Sequence, residues 1–298
     1  MLDAQRLAVL TEVAHAGSIA AAAQRLAFTP SAVSQQIGKL ERDLGCRLLH
    51  RHPRGVTLTP AGQALLSHAE TVIGELRTAE QTVQATLGAQ PSQLAVGTFA
   101  SAGQFLVPRA LARFRRRHPD VALALHDLEP PDGYGLVRSG DLDVLITHRY
   151  PGMPLPDPRG LNRQLLMHDP LRLVLPASHP KARSPQITIA ELADQEWISG
   201  STGIPNRVCL ELAAGSAGIQ PHIAYETRDY QVTLALIAAG LGVSLVPASV
   251  LSQASRHGIA IRQPHGTSPA REIYLVHRKR PATLVADMIT QLRLHQST

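Results

Sequence analysis

The chain has 298 residues, of which 44% are hydrophobic and 17% charged, so it is long enough for two domains with sizeable cores. Its formal net charge of +6 suits a polyanionic partner without establishing one. It contains no apolar run of about 18 residues, which a membrane span needs. Asp3, Arg6 and Glu12 interrupt the first apolar stretch, which argues against a secretory signal. These features predict a cytoplasmic globular protein with no membrane partner.

Helix-end signals mark three helices at the start of the chain. A first helix from Asp3 to His15 places its apolar residues on one face, which suits a supporting role. Gly17 can close this helix and Ser18 can cap the second, because serine accepts hydrogen bonds from free helical amides. Thr29 can cap the third helix in the same way. Only Ala27 and Phe28 separate the end of the second helix from the cap of the third. So short a connection between two helices indicates a helix-turn-helix, a motif whose second helix enters the major groove of DNA.

The third helix has two distinct faces. Its apolar face, which is expected to be core, carries Val33, Ile37, Leu40 and Leu44. Its polar face carries Ser31, Gln35, Gly38 and Arg42, flanked by Ser34 and Lys39. Serine and glutamine side chains can form hydrogen bonds with base edges. For this segment taken alone, an ordinary amphipathic surface helix is the alternative interpretation.

A basic turn follows the third helix. It contains His50, Arg51, His52, Arg54 and Gly55 and leads into residues 56–58, which predicts a short hairpin or wing beside the duplex. Arginine side chains suit bidentate contacts to phosphate or guanine. A second basic cluster, at residues 113–118, ends a later predicted helix. It is expected to be a solvated helix end that complements the helix dipole, rather than a DNA contact.

The segment from Ala22 to Gly62 follows the pattern AAxxLxxTxSAVSxQIxxLExxLGxxLxxRxxRGVxLTxAG. It resembles the winged helix-turn-helix signature of LysR-type transcriptional regulators, with Leu49 in place of the usual aromatic residue. The resemblance implies an α/β protein with an all-α N-terminal domain. It places a winged helix-turn-helix DNA-binding domain at residues 1–59, a linker and dimerisation helix at 60–90, and a two-subdomain, periplasmic-binding-protein-like (type II) effector domain at 91–298. Subdomain I is expected at about 91–162 and 266–298, and subdomain II at about 163–265.

The resemblance and the polar helix face together suggest which residues contact DNA. We expect Ser31, Ser34 and Gln35 to choose the base sequence and Arg54 on the wing to approach the minor groove. The full expected set is Ser18, Thr29, Ser31, Ser34, Gln35, Lys39, Arg51 and Arg54. The expected partner is therefore double-stranded operator DNA, together with RNA polymerase if the protein is an activator.

A long helix is predicted from Pro60 to about Gly88, after a cap at Thr59. Its apolar residues alternate spacings of four and three and are Leu65, Ala69, Val72, Leu76, Ala79, Val83 and Leu87. Packing on its own domain would bury this stripe. Pairing with the same helix of a second subunit would also bury it, and this preferred interpretation predicts a homodimer or homotetramer. Gly88 to Ser92 is then expected to be a hinge.

Beyond the hinge, short predicted strands alternate with predicted helices. This alternation indicates an α/β fold with largely parallel strands. A proline-rich loop from Tyr150 to Gly160 separates the first unit from a second. Separate strands are expected in the second unit at Gln164 to Met167 and at Leu171 to Leu175.

Polar residues follow the predicted strands at several places where a ligand could bind. In open α/β sheets, ligands collect at the carboxyl ends of strands, where helix N-termini offer free N–H groups. By resemblance to the family's cleft, the expected effector-binding residues are Thr98, Phe99, Ala100, Ser101, Thr147, His148, Ser199, Ser201, Thr202 and Asp229. At each of these positions, the alternative is that the residue only caps its own helix or has a structural role and does not contact a ligand. The expected effector is a small polar molecule, and an anion is one candidate.

Two other functions compete with ligand-responsive DNA binding. One is a small-molecule-binding module whose basic N-terminal region docks a protein. The other is an enzyme, but the chain has no Gly-rich phosphate loop, HExxH or GxSxG motif, so catalysis and a cofactor are not expected. Cys46 and Cys209 fall in different predicted domains without a CxxC motif, which predicts neither a metal site, a disulfide nor peroxide sensing by a cysteine pair. The sequence does not determine whether the protein activates or represses transcription, or whether it forms a dimer or a tetramer.

Overall fold

The computed structural model describes residues 1–88, 92–266 and 269–294. Its N-terminal part, here called the head, consists of the helices α1 (Ala4–Ala16), α2 (Ile19–Arg25) and α3 (Pro30–Leu44) and the strands β1 (Leu49–His52) and β2 (Gly55–Leu58). The side-chain oxygens of Asp3, Ser18 and Thr29 accept N–H hydrogen bonds at the starts of the three helices. Gly17 and Gly45 end α1 and α3 in the left-handed conformation. The expected helix-turn-helix and wing are therefore confirmed.

The head has its own hydrophobic core. Side chains from all three helices and the start of the wing form it, including Leu10, Val13, Ala22, Val33, Ile37, Leu40 and Leu48. The sequence pattern places Leu44 in this core, but its side chain is 40% exposed. It is the last residue of α3, and the left-handed Gly45 turns the chain away at this point. The buried face of α3 thus ends earlier than its apolar spacing indicates.

Two contacts hold the wing, the β1–β2 hairpin, against the helices. The buried carboxylate of Glu41 in α3 accepts hydrogen bonds from the N–H groups of residues 48 and 49, at 2.9 and 3.3 Å. The Val56 N–H donates to the carbonyl oxygen of Gly17 at 3.0 Å. At Gly55, where φ is +138°, a Cβ atom would lie 2.4 Å from that same carbonyl oxygen, so only glycine fits. The wing is therefore fixed relative to both α3 and the end of α1.

After the linker helix α4 (Pro60–Thr86), strands alternate with helices. The strands are β3 (Gln93–Thr98), β4 (Ala122–Asp127), β5 (Val144–Arg149), β6 (Leu161–Pro176), β7 (Gln186–Ile187), β8 (Glu196–Ser199), β9 (His222–Glu226), β10 (Ser244–Pro247), β11 (Ile259–Pro264) and β12 (Ala270–Arg278). The helices are α5 (Ala100–Phe105), α6 (Val107–Arg117), α7 (Tyr134–Ser139), α8 (Pro205–Ser216), α9 (Tyr230–Ala238), α10 (Ala248–Gln253) and α11 (Thr283–Arg293).

Strand β6 connects the two halves of the effector domain. The main sheet has the order β4-β3-β5-β12-β6-β11-β7, and β10 also pairs with β6. β6 pairs with β12 as far as Pro170 and with β10 and β11 from Leu171 onward. We call the half that contains β3, β4, β5 and β12 subdomain I, and the half that contains β7 to β11 subdomain II. The predicted boundary near residues 162–163 falls inside β6, and the change of partners comes several residues later.

Two features of this sheet differ from the sequence-based expectation. The strands expected at Gln164 to Met167 and Leu171 to Leu175 form one continuous strand. Pro170, which donates no ladder hydrogen bond, lies where that strand changes partners. The sheet is also mixed rather than largely parallel, because the returning β12 lies antiparallel between β5 and β6. Alternation of strands and helices along a sequence does not determine the direction of a strand that returns from the C-terminus.

Each subdomain has its own core. Phe114 is fully buried in subdomain I, and Trp197 is fully buried in subdomain II. The basic helix end at residues 113–118 packs on α11, where His118 lies 2.9 Å from a carboxylate oxygen of Asp287. This end of α6 is therefore tied into subdomain I through α11.

Helix α4 is only partly covered by its own chain. Of its apolar stripe, Leu65 packs against the head core and Ala69 is fully buried. The rest of the stripe is exposed and consists of Val72, Leu76, Ala79, Val83 and Leu87. Residues 89–91 of the expected hinge lie outside the described residues. Within the described ranges, no helix combines the length and the apolar character needed to cross a bilayer.

A buried polar cluster, here called the docking cluster, joins α4 to the head and to subdomain I. It consists of Glu70 in α4, Arg138 in α7 and His15 in α1. Glu70 is 3% exposed, pairs with the guanidinium of Arg138, and lies 2.9 Å from Nε2 of His15. One turn further along α4, a Cβ at Gly74 would lie 2.1 Å from the carbonyl oxygen of Arg138. Arg77 then donates to the last carbonyl of α7 at 3.1 Å, so the two helices are in close contact over two turns.

Replacing Glu70 with alanine should destabilise the chain, because the guanidinium of Arg138 would stay buried without its counter-charge. Removing one partner of a buried pair costs about 3–5 kcal/mol. Urea unfolding followed by circular dichroism measures the change. Glu75→Ala is the matched control, since Glu75 is exposed on the same helix and should change the free energy of unfolding by less than about 0.5 kcal/mol. Equal unfolding midpoints for the two variants would contradict the structural role of the cluster.

Candidate DNA-binding surface and effector cavity

The polar face of α3 is directed to solvent. Ser31, Gln35 and Lys39 are exposed, and Ser34 is half-buried. Among the residues that the structure describes, none of these four side chains has a hydrogen-bonding or ion-pair partner. A Cβ at Gly38, between them, would meet only the far end of Arg42 at 3.9 Å, so the middle of the face is flat. The predicted sequence-reading residues thus share one surface on which their polar groups are unused.

The wing and the start of α2 form an open groove of about 420 Å³. It is lined by Ser18, Ile19 and residues 51–56. The structure therefore brings Ser18, Arg51 and Arg54 together. The hydroxyls of Ser18 and Thr29 accept helix N–H groups at 3.1 and 3.2 Å, which makes both of them helix caps. Each hydroxyl still has its own hydrogen to donate.

The cations of the head divide into paired and unpaired groups. Arg6 pairs with Asp43, Arg25 lies 3.0 Å from Glu12, and Arg47 lies 3.2 Å from the buried Glu41. The exposed cations of α3 and the wing that have no ion-pair partner within the described ranges are Lys39, Arg42, Arg51 and Arg54. The uncompensated positive charge is therefore concentrated on the surface that carries the polar face of α3 and the wing. Such a distribution is typical of a nucleic-acid-binding surface.

A cavity of about 380 Å³ lies between the two subdomains. Subdomain I contributes residues that follow β3, β4 and β5, together with Arg271 at the start of β12. Subdomain II contributes the N-termini of α8 and α9. Because β12 is antiparallel to β5, its start lies at the same edge of the sheet as the end of β5. The cavity thus lies at the carboxyl ends of neighbouring parallel strands, which is the usual ligand position in α/β sheets.

Half of the predicted effector-binding residues line this cavity. They are Phe99, Ala100, Ser101, His148 and Asp229. The lining does not include Thr98, Thr147, Ser199, Ser201 and Thr202. Thr98 and Thr147 are buried, and alternation along a strand directs Thr147 to the opposite face from His148. Before α8, the sequence predicts Ser201 and Thr202 as ligand contacts. The residues that line the cavity there come slightly later in the chain, at Ile204 to Asn206.

Several cavity residues have no counterpart among the sequence-based candidates. Asp127 ends β4 and Glu129 follows it. The alternation of Val121, Leu123 and Leu125 predicts this strand, so the rule on strand ends could have found both carboxylates. Tyr150 and Tyr230 could have been found in the same way, because each follows a predicted strand. Arg271 has no such signal, since only the antiparallel return of β12 brings it to the cavity.

Arg271, which lines the cavity, belongs to a buried charged network. Arg271 is 1% exposed, and its Nε donates to the Asp169 carboxylate at 2.9 Å. Its Nη2 donates to the Ser249 hydroxyl at 3.1 Å, and that hydroxyl donates to Asp169 at 2.6 Å. The guanidinium also lies 5.1 Å from the centre of the Phe99 ring. Asp169 lies in β6, Ser249 in α10 and Arg271 in β12, so the network spans the junction of the subdomains.

Four rings form an uncharged wall beside this network. The centre of the His148 ring lies 4.4 Å from that of Phe99 and 5.4 Å from that of Tyr150. The hydroxyls of Tyr150 and Tyr230 share a hydrogen bond of 2.8 Å. Burial, together with repulsion from Arg271, lowers the pKa of His148 to about 3, so its ring is neutral at physiological pH. Burial raises the pKa of both tyrosine hydroxyls, so they stay protonated and can donate.

The cysteines lie far apart in the fold. Cys46 is exposed in the head, whereas Cys209 is buried in the core of subdomain II. Burial raises the pKa of the Cys209 thiol to about 11, so it is protonated at neutral pH. In the part of the chain that the structure describes, no group of three or more His, Cys, Asp or Glu side chains could hold a metal ion.

The neutral His148 ring should make folding stability depend on pH. Because its pKa falls from 6.5 to about 3 on folding, only the unfolded chain binds the proton between these values. The stability associated with the neutral ring is present above pH 6.5 and is lost as the pH falls toward 3, by at most about 1.4 kcal/mol per pH unit. Urea unfolding of the wild type and His148→Asn across this range measures the difference, with the exposed His257→Asn as control. Parallel profiles for the wild type and His148→Asn would contradict this assignment.

Comparisons with known proteins agree with this architecture. The family described as "Bacterial regulatory helix-turn-helix protein, lysR family" matches residues 4–63, and the family described as "LysR substrate binding domain" matches residues 88–296. The Hca operon transcriptional activator HcaR of Escherichia coli K12 is 29% identical, with 100% of each chain covered.

Solved structures give the same result. A full-length OxyR variant from Pseudomonas aeruginosa has a TM-score of 0.73 at 22% identity, covering 99% of this chain and 95% of its own. CbnR in complex with its target DNA has a TM-score of 0.54 at 26% identity, covering 98% and 99%. The relatives are transcriptional regulators and not enzymes. This chain therefore belongs to the LysR family of transcriptional regulators.

Proposed function

We propose that this regulator binds operator DNA in the cytoplasm as a homodimer or homotetramer and responds to a small polar effector in the cavity between its subdomains. The observation that carries the proposal is the exposed polar face of α3, whose Ser31 and Gln35 side chains have no partner among the described residues. It lies in a head whose unpaired cations are on α3 and the wing. For an activator, the proposal includes contact with RNA polymerase.

On DNA, α3 would enter the major groove. Gln35 would bind adenine through its amide, Ser31 and Ser34 would bind base edges through their hydroxyls, and Arg54 would follow the minor groove. Lys39 and Arg51 would contact phosphates, and the cap hydroxyls of Ser18 and Thr29 could donate their free hydrogens to phosphates as well. Most of the affinity would come from phosphate contacts and would fall steeply with salt.

The exposed stripe of α4 supports pairing with a second copy of the chain. Leu76 and Val83 are 46% and 57% exposed, although their heptad-like spacing is typical of a helix that packs on another helix. The head covers only the first part of the stripe, so a partner helix would cover the rest. Two paired heads would then contact two half-sites, which explains why the linker helix extends beyond the head.

The cavity between the subdomains is the proposed effector site. It contains Phe99, Ala100, Ser101, His148 and Asp229 of the expected set, and both subdomains contribute to its lining. A ligand that contacts both subdomains can favour one relative arrangement of them over another, provided that its affinity for the two arrangements differs. In this way, ligand binding in the cavity could change how the head binds DNA.

Gln35→Ala should change which operator the protein prefers. A bidentate contact between glutamine and adenine gives about 1–3 kcal/mol of discrimination, which the variant loses. Gel shifts with a selected operator and its single-base variants measure this, and Gln220→Ala, exposed in the effector domain, is the matched control. Arg54→Ala should instead weaken binding to most sequences alike and lower the salt slope by about 1. Unchanged preference in Gln35→Ala would contradict its role, and no sequence-selective retention at all would favour a head that docks a protein.

Replacing Leu76 with aspartate should dissociate the oligomer, because it places a charge in the proposed helix–helix seam. Multi-angle light scattering after size exclusion should give the monomer mass, 32.0 kDa, for this variant and a multiple of it for the wild type. Leu212→Asp is the control, since Leu212 is 49% exposed on α8, away from the seam. A wild type that runs as a monomer, or a Leu76→Asp variant that remains oligomeric, would contradict pairing through α4.

A further inference from the structure

The buried end of the effector cavity offers a donor that the protein does not use. Nε of Arg271 donates to Asp169 and its Nη2 donates to Ser249. Its Nη1 has no hydrogen-bond partner among the residues that the structure describes, and Arg271 lines the cavity. A guanidinium that is 1% exposed and has an unused N–H group is a position for a carboxylate or another acceptor. Because its neighbours hold it rigidly, little side-chain entropy is lost on binding.

The tyrosine pair beside Arg271 adds a second donor. The hydroxyls of Tyr150 and Tyr230 lie 2.8 Å apart, so one of them donates to the other. Two hydroxyls have two hydrogens, and this bond uses only one. Asn206, which also lines the cavity, forms a side-chain hydrogen bond with Tyr230. Where the Asn206 amide is the donor of that bond, the second hydroxyl hydrogen is left for a ligand that binds next to both tyrosines. Arg271 and the two tyrosines, here called the cavity floor, therefore present donors and favour an acceptor group.

The other side of the cavity is acidic. Asp127 and Glu129 both line it and are exposed, and we call them the acidic rim. The Asp127 carboxylate has no hydrogen-bond or ion-pair partner in the described part of the chain. Partial burial and the neighbouring Asp127 carboxylate raise the pKa of Glu129, whereas Arg271, Arg228 and a hydrogen bond from the Ala100 N–H lower it. A group that satisfies the rim must be a cation or a hydrogen-bond donor.

The charge balance of the cavity disfavours a simple anion. Three carboxylates and two guanidinium groups line it, and the guanidinium of Arg271 is already paired with Asp169. Asp229 accepts the N–H of Gln231 at 2.7 Å as the cap of α9, and Arg228 and the Ala100 N–H act on Glu129. Asp127 is therefore the lining carboxylate that has no hydrogen-bond or ion-pair partner among the described residues. A ligand with only a carboxylate would satisfy the floor but would be repelled by the rim.

We propose that the effector is a small zwitterion of the α-amino acid class. Its carboxylate binds Arg271 and the free tyrosine hydrogen at the floor, and its ammonium group faces Asp127 and Glu129 at the rim. The floor and the rim line the same cavity, so one small molecule that carries both charges can contact both of them. The side chain of the amino acid would extend along the Phe99 and His148 wall. This inference depends on the proposed effector site and specifies its ligand class.

Calorimetric titration of the full chain tests the ligand class. Each standard α-amino acid is compared with the carboxylic acid that lacks its amine and with the amine that lacks its carboxylate. We expect at least one amino acid to bind and both of its single-charge analogues to bind at least tenfold more weakly. Asp127→Asn should weaken binding of that amino acid at least tenfold, and because Asp127 is exposed this variant should fold. Asp120→Asn, exposed on the loop before β4, is the matched control and should bind like the wild type.

Two results would overturn the inference. One is a carboxylic acid that binds as tightly as the corresponding amino acid, and the other is no binding of any amino acid. Gel shifts with operator DNA on the same preparation separate these results from failure of the proposed function. Selective DNA retention that responds to a different class of metabolite would overturn the zwitterion and leave the regulator intact. Absence of any selective retention would overturn the proposed function itself.

Discussion

The relative placement of the head, the linker helix and the effector domain depends on one buried carboxylate. Glu70 is located on α4, and the groups that satisfy it come from α1 and α7, on either side of that helix. A buried carboxylate without partners is costly, so separating either neighbour from α4 is unfavourable. Gly74 reinforces the contact because a larger residue could not approach the backbone of α7 so closely. Helix α4 therefore packs against both the head and subdomain I, and the rest of its apolar stripe remains exposed to solvent.

The effector cavity is arranged around a comparable feature inside the C-terminal domain. Strand β6 passes from one subdomain to the other, and Asp169 lies next to the point where it changes partners. Through Arg271 and Ser249, this carboxylate connects β6, β12 and α10. A ligand that binds Arg271 would thus contact a group held by elements of both subdomains. Ligand binding in the cavity could therefore act directly on the contacts that hold the two subdomains together.

The local features of this protein could be predicted from sequence, and the long-range features could not. Caps such as Ser18 and Thr29 act within three residues, and the stripe of α4 repeats along one helix, so their patterns are visible in the chain. Arg138 lies 68 residues from Glu70, and Arg271 lies 102 residues from Asp169. Neither pair has a spacing that identifies it, because the pairing depends on how the strands and helices assemble. The same reason explains why Arg271 lines the cavity without any signal in the sequence, whereas Ser201 and Thr202 do not line it.

The contact between Glu41 and the wing has a further consequence for how DNA is distinguished. This carboxylate holds the backbone of residues 48 and 49 to α3, and Gly55 leaves no space between the wing and the end of α1. These contacts fix the position of the wing relative to α3. If α3 binds in the major groove and the wing in the minor groove, as proposed, the protein sets the distance between those two contacts. DNA whose groove width and bend already match that distance binds without deformation, whereas stiffer or wider sequences must be deformed. Base pairs that no side chain touches would therefore still affect affinity.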